Sequence, residues 1–501
     1  MAQAEKSILT NRKVIAVGVV VILVIGAFLL VNALGGRDDD GRDRRGEGED
    51  ERFHPYLAQP NSKVTDIQAA NNEPGLAVNP TNPMNIVAGS NDYGGPSGDV
   101  WCGYYYTFDG GETWDSGYIP GIDGDRSSPL WPFAGAGDPV VVFGPDGTCY
   151  YAGIAFQREA ELGNIRKPGS GIFVARSDDG GRTFDMVSVV IQSISSLSNA
   201  LANFHDKEWV AVDPTTGDVH VTWTAFQLYG VSSAMVHSVS RDRGETWSRP
   251  QIISEISRKE RQVQGSQVEV TSDGVVHVSW IEYDFGVLRY TRSTDGGNSF
   301  EQVKTIASVT PLDYYPENGG YRTPTMCDMA VDTSGGNHTD SIYIAWPDRR
   351  NGYGQSDIFL IASHDGGESW TEPVKVNNVT GARDNDQWFP AVAVGNDGSV
   401  QVMFYDRRLD PENDLLSLFI AVSYDFGVTW ENIQICDTQF DGDNTRGPFI
   451  GDYLALSSGP GWTVGIWCDS REGTESNVRS DIWMGKIIYN EEGIFVDMPE
   501  E

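Results

Sequence analysis

The residues in this chain best suited to chemistry are arginines that travel with aspartates and aromatics. Three stretches repeat one order: Trp346-Pro347-Asp348-Arg349-Arg350, Tyr405-Asp406-Arg407-Arg408 and Trp467-Cys468-Asp469-Ser470-Arg471. Tyr321-Arg322-Thr323-Pro324 and Arg446-Gly447-Pro448 add two further arginines in segments broken by Pro or Gly. A guanidinium offers a planar fork of donors that grips a carboxylate with two parallel hydrogen bonds, so converging arginines would hold an anionic group. The same order has a second reading, in which each arginine pairs with its neighbouring aspartate and braces a repeated structural element.

Either role needs a scaffold, and the chain carries a repetitive one. Six copies of Ser/Thr-x-Asp-x-Gly-x-Ser/Thr-Trp/Phe run from Thr107 to Trp114, Ser177 to Phe184, Ser240 to Trp247, Ser293 to Phe300, Ser363 to Trp370 and Ser423 to Trp430. Their spacing of roughly 50 to 70 residues is close to the period of propellers, solenoids and arrays. Within each copy the Asp and Ser/Thr side chains can hold backbone amides in a tight turn, the Gly supplies a positive φ, and the aromatic packs under a sheet. Strand-like runs precede the copies, as in Gly171 to Arg176 and Asp357 to Ala362, so each copy reads as a hairpin connection.

A second landmark counts the units. Strands with a polar or aromatic exit recur seven times, at Asn85 to Asp92, Cys149 to Phe156, Val219 to Phe226, Val276 to Tyr283, Ile342 to Arg349, Val400 to Arg407 and Thr463 to Ser470. The expected fold is therefore all-β, a closed propeller of seven four-stranded blades, with six blades plus an added sheet as the alternative. The last blade needs an outer strand from elsewhere. Lys63 to Gln68 would supply it, with Ile494 to Met498 as the competitor. Meander order puts the repeated turns on one face, and the opposite face receives the variable loops Gly121 to Pro139, Ser193 to Glu208, Thr310 to Thr323, Asp384 to Pro390 and Asp437 to Pro448. Functional residues concentrate on such loops.

Composition suits an exported β protein: 57 glycines, 14 tryptophans and 11% aromatic residues. The net charge of −35 argues against a nucleic-acid partner, because phosphate would be repelled. Residues 1–13 read as a short cytoplasmic segment and 14–34 as a transmembrane signal anchor, built on the uncharged run Val14 to Val31. Cleavage near Val31-Asn32-Ala33 would instead release a secreted protein. Residues 35–60 read as a charged, disordered stalk and 61–501 as the propeller, which places the propeller at the cell surface, outside the cytoplasm. Five cysteines at 102, 149, 327, 436 and 468 are too few for a disulfide framework, though one or two pairs would be compatible with the count. No Cys/His spacing points to zinc, and no metal or cofactor is expected. Asn337-His338-Thr339 and Asn378-Val379-Thr380 match the glycosylation acceptor pattern.

The six copies resemble the Asp-box, or bacterial neuraminidase, repeats of the sialidase superfamily, and the resemblance spans about residues 70 to 490. It implies a propeller whose boxes lie away from any catalytic face. It also implies chemistry in which three arginines hold a sialate carboxylate, an Asp serves as acid/base and a Glu activates a Tyr nucleophile. On that basis Arg322, Arg349 and Arg407 are the candidates for an anionic group, with Tyr321 and Glu317 beside them in one loop. Asp348 and Asp406 are expected to be structural partners of arginine. Trp131, Trp388 and Phe389 would either stack on sugar rings or serve the core and rim. Two departures stand out: the sialidase Arg-Ile-Pro motif precedes the first box, whereas Tyr321-Arg322-Thr323-Pro324 follows the fourth, and sialidases have six blades. Two functions follow as expectations. One is a membrane-anchored, sialidase-like glycoside hydrolase or carbohydrate-active propeller that acts on or binds glycans or glycoproteins; the other is a non-catalytic cell-surface propeller that binds glycans or proteins.

Overall fold

The computed structural model describes residues 56–65, 69–95, 99–122, 125–157, 168–194, 204–227, 232–255, 262–380, 385–474 and 476–489. The expected segment 1–13, the apolar segment 14–34 and the stalk up to residue 55 lie outside these residues, as does Ile494 to Met498. Among the described residues no helix is long and apolar enough to cross a membrane.

Seven antiparallel sheets each run in meander order from an inner to an outer strand. The inner strands are Asn71–Val78, Gly135–Phe143, Phe204–Val212, Val263–Val270, Asp328–Val331, Gln387–Val394 and Ala455–Gly459. Each packs against the inner strand of the next blade and the last packs against the first, so the ring is closed. Second and third strands are covered by blades on both sides. They are accordingly near-continuous apolar runs, buried along their whole length in Ile342–Asp348, Asp357–Ser363, Val400–Asp406 and Ser417–Ser423. Trp223, Trp280, Trp346 and Trp467 occupy equivalent places in second strands and are fully buried.

Seven blades are present, not six plus a sheet. The expected closing strand is displaced, however. Tyr56–Ala58 pairs with the last strand, Asp481–Tyr489, in the register Tyr56 to Tyr489, and Ser62–Lys63 pairs further along the same strand opposite Met484 and Trp483. Pro60 separates the two pieces; a proline has no amide hydrogen to give the ladder. Lys63 is the last residue of the closing strand rather than its first, and residues 66–68 lie outside the described part. Propeller structure thus begins at Tyr56, within the segment read as stalk.

All six boxes connect third to fourth strands and share one hydrogen-bond pattern. In the fifth, Ser363 Oγ donates to Asp365 Oδ1 at 2.9 Å and accepts from the Gly367 amide at 2.8 Å, while Asp365 accepts from the Ser369 amide and hydroxyl. These bonds favour the charged carboxylate, and Asp109, Asp242, Asp295 and Asp365 are each lowered to about 2. Gly367 has φ 84° and stands against Tyr290 of the preceding blade with no room for a Cβ, so the box is also a spacer between blades. The five cysteines are all buried and unpaired.

Along the axis the inner strands enclose a cavity of about 120 Å³ faced by Glu269 and Asp328. Burial, then the nearby charge of Asp328, raises Glu269 to about 8; burial raises Asp328 to about 7.

Two outcomes are expected. Ser363→Ala leaves the buried Gly367 amide without its acceptor and should cost about 1–3 kcal/mol in chemical denaturation. A raised folded-state pKa means that Glu269 opposes folding increasingly as pH climbs from its ordinary value of 4.5 through about 8. Glu269→Gln should therefore raise the melting temperature more at about pH 8 than at about pH 4.5; equal shifts at both would place its carboxyl in water.

Candidate functional site

Five inner strands open with the same irregularity. Register shifts fall between Asn72 and Gly75, Gly137 and Val140, Asp206 and Trp209, Gln264 and Gln267, and Trp388 and Ala391. In each bulge one residue takes the left-handed conformation: Glu73 (φ 51°), Asp138 (57°), Lys207 (50°), Gly265 (71°) and Phe389 (53°). For non-glycine residues this geometry costs on the order of 1 kcal/mol or more and persists only where the surroundings over-determine it. A bulge re-aims side chains that the two-residue alternation of a strand would send elsewhere. Here it gathers charge at the loop-face end of the axis.

Lys207 is the centre of that charge. Its ammonium lies 3.0 Å from Glu73 Oε1, 3.1 Å from Asp138 Oδ2 and 3.2 Å from Asp452 Oδ2, and 4.5 Å above the Tyr453 ring. Arg322 grips Asp452 with two parallel bonds, Nε and Nη2 each donating at 2.7 Å, and its guanidinium lies 4.7 Å over Phe449. Asn91 ties two blades together: its amide nitrogen donates to Glu73 Oε2, and its oxygen accepts from the Asp138 amide at 2.8 Å.

With Asp206 and Glu208 adjoining, carboxyl groups outnumber the two cations. Burial, then the charge of Asp138, pushes Glu73 well above the usual carboxylate range, and a hydrogen bond to Asp138 adds to the effect. Burial raises Asp206 to about 7 and pushes Glu208 up as well; both Glu208 oxygens are buried without a hydrogen-bond partner. Asp452 moves the other way, because Lys207 and Arg322 together outweigh its burial. Glu73 thus stands beside Asp138 with its affinity for a proton raised, an arrangement suited to proton transfer.

The pair lies at the floor of a cleft of about 1460 Å³ on the loop face. Its walls come from the variable loops: Ala134, Phe204, Tyr314, Tyr315, Arg322 and the segment Arg446 to Phe449 all contribute. Tyr314, Tyr315 and Phe204 present exposed rings, and Arg446 lies 4.7 Å over Tyr93.

Of the five residues singled out from sequence, Arg322 enters this cleft. Arg407 is fully buried 4.9 Å over the Trp388 ring; it donates to the Asn413 carbonyl at 2.6 Å, to the Tyr321 hydroxyl at 2.6 Å and to the Glu317 carbonyl. Tyr321 is buried in the same unit. Arg349 and Glu317 line a separate, shallower depression, where Arg349 Nε donates to the Pro311 carbonyl at 2.6 Å. The three arginines do not converge on one pocket. The bracing pattern, by contrast, repeats in three blades. Asp348 accepts from Arg350 at 2.7 Å, Asp406 from Arg408 at 2.6 Å and Asp469 from Arg471 at 2.7 Å. Each of these guanidinium groups lies about 4 Å over the aromatic ring of the neighbouring strand, Phe359, Phe419 or Trp483. Trp388 and Phe389 are core residues, whereas Trp131 is exposed beneath Arg126.

Sequence reasoning passed over Glu73, Asp138, Lys207 and Asp452. Their signal was charge at the head of otherwise apolar first strands, in Asn72-Glu73-Pro74, Gly137-Asp138-Pro139, Asp206-Lys207-Glu208-Trp209 and Gly451-Asp452-Tyr453.

Residues 105–116 match the model of the BNR/Asp-box repeat. No curated protein matches the chain. Among solved structures it is similar to a polysaccharide lyase of family PL25, an ulvan lyase (TM-score 0.50, 13% identity, 85% of this chain and 95% of that one). It is also similar to the Hadza microbial sialidase Hz136 (0.45, 17%, 80% and 72%) and to a leech intramolecular trans-sialidase (0.42, 13%, 86% and 70%). At these identities the likeness is one of fold. With six boxes in place between third and fourth strands, the chain is a seven-bladed Asp-box β-propeller.

Proposed function

We propose that this chain is a carbohydrate-active propeller that works outside the cytoplasm, anchored by residues 14–34, and cleaves a glycan in its loop-face cleft. Glu73 acts as the proton donor and Asp138 as its carboxylate partner, while Arg322 and Arg446 orient the substrate. The observation that carries this reading is the buried Glu73 carboxyl, pushed above its ordinary range by burial and by the charge of Asp138 beside it, at the floor of a roomy cleft rimmed by exposed aromatic rings. Tyr and Phe faces stack on the apolar faces of sugars. The ulvan lyase that shares the fold is named for action on a polysaccharide.

A second reading has one observation in its favour. Lys207 already engages Glu73, Asp138 and Asp452, so the cluster is internally compensated in the way of a structural network. On that reading the propeller binds glycans without cleaving them.

Incubating the full chain with a panel of polysaccharides and fluorogenic glycosides separates the two. Glu73→Gln should lower turnover by roughly 10²–10⁴-fold with binding retained, as expected for loss of a general acid. Retention of glycan by wild type with no turnover would favour the binding propeller. Protease added to intact cells should remove the propeller while sparing residues 1–13, and full protection would overturn the exported placement.

A further inference from the structure

The loop that carries Tyr314 and Tyr315 is held unusually firmly for a surface segment. Arg407, buried beneath it, donates to the Glu317 carbonyl and the Tyr321 hydroxyl. The Gly320 amide donates to Asp443 Oδ1 at 2.7 Å, the Thr323 amide to the Tyr314 carbonyl at 2.9 Å, and the Leu312 amide to Thr325 Oγ1 at 2.7 Å. Yet the tyrosines it bears are among the most exposed large side chains of the molecule, at 58% and 54%, with their rings edge to face 4.8 Å apart. A rigid loop that leaves aromatic rings in water has already met the ordering cost that a ligand would otherwise impose.

Tyr315 belongs to two hollows. It lines the large cleft and also the depression that takes in Arg349, Asp313, Glu317 and Tyr353, the last 58% exposed. The floor of that depression is internally paired, with Arg349 Nη1 3.4 Å from Asp313 Oδ2. Rings thus line the cleft and the adjoining depression on blade five, over a polar floor where Asp313, Glu317 and Asp386 outnumber the one cation, Arg349.

We propose that this depression binds the continuation of a long, uncharged polysaccharide chain whose cleaved or held unit occupies the cleft; the inference rests on the glycan reading given above. Polymer length is required because the second hollow lies beyond the first, and the tyrosines supply stacking that any pyranose or furanose face can use. An uncharged chain is favoured because the net charge of −35 repels a polyanion and the Arg349–Asp313 pair leaves no excess cation to receive one.

Affinity electrophoresis of the full chain in mild detergent, through gels holding arabinan, xylan, galactan or mixed-linkage β-glucan, tests this, with alginate and polygalacturonate as charged counterparts. Wild type should be retarded by an uncharged polymer, and Tyr353→Ala should weaken that retardation about tenfold, as loss of one stacking ring implies. Binding of the matching disaccharide, followed by tryptophan fluorescence, should be unchanged in Tyr353→Ala. Unaltered polymer binding in Tyr353→Ala, equal loss for polymer and disaccharide, or preference for the polyanions would each overturn the proposal while the glycan reading stands. Wild type that binds no saccharide of either length overturns both. Tyr353 is at the surface, and an unchanged melting temperature of the variant confirms that its fold is intact.

Discussion

One ammonium group holds the axis of this molecule together. Lys207 comes from blade three; the carboxylates around it come from blades one, two and seven. Three charges of one sign within hydrogen-bonding distance of a single point would force the blades apart, and the lysine turns that repulsion into a tie across the ring seam. Burying such groups is costly, and taking away one partner of a buried pair typically destabilises by about 3–5 kcal/mol because the others are left uncompensated. Arg322, reaching in from the link between blades four and five, completes the arrangement by saturating Asp452. That leaves Glu73, rather than Asp452, as the carboxyl whose affinity for a proton is raised.

The two faces of the propeller divide their labour according to the geometry of the meander. Boxes and short turns satisfy their own backbone groups with Ser, Thr and Asp side chains and set the spacing between blades. The loop face has no such stereotyped solution, and its segments are pinned one by one. The Asp348–Arg350, Asp406–Arg408 and Asp469–Arg471 pairs brace the exits of second strands, and Arg407 braces the loop leading into blade five from below. Rigid loops around a strained axial cluster are what a site that must hold its groups in place requires.

Much of this was legible in the sequence, and the part that was not has a physical reason. The boxes gave the propeller because a turn motif depends on residues three or four apart, and the second strands gave seven blades because double burial writes itself as an apolar run. The variable loops were correctly placed opposite the boxes, and Asp348 and Asp406 correctly read as partners of arginine. Which of two adjacent arginines does the pairing was not visible, since Arg349 and Arg350 differ only in the direction in which the chain turns after Asp348. The acidic cluster was hidden for a stronger reason. Its members are separated by up to several hundred residues, and left-handed bulges reverse the side-chain direction that strict alternation assigns to Glu73, Asp138 and Lys207. Closure was read at the right end of the chain, but Pro60 splits the strand and moves its start to Tyr56.

The origin of that closing strand governs how the molecule can be made. Tyr56–Ala58 and Ser62–Lys63 have no partner until Asp481–Tyr489 exists, so some four hundred residues must be synthesised while the first strands wait with an unpaired edge. Six blades can form on the way, each from local hairpins, but the ring stays an open arc until the seventh emerges. A chain that stops short of Asp481 would therefore expose strand edges at both ends of the arc, the surfaces on which sheets from different molecules join.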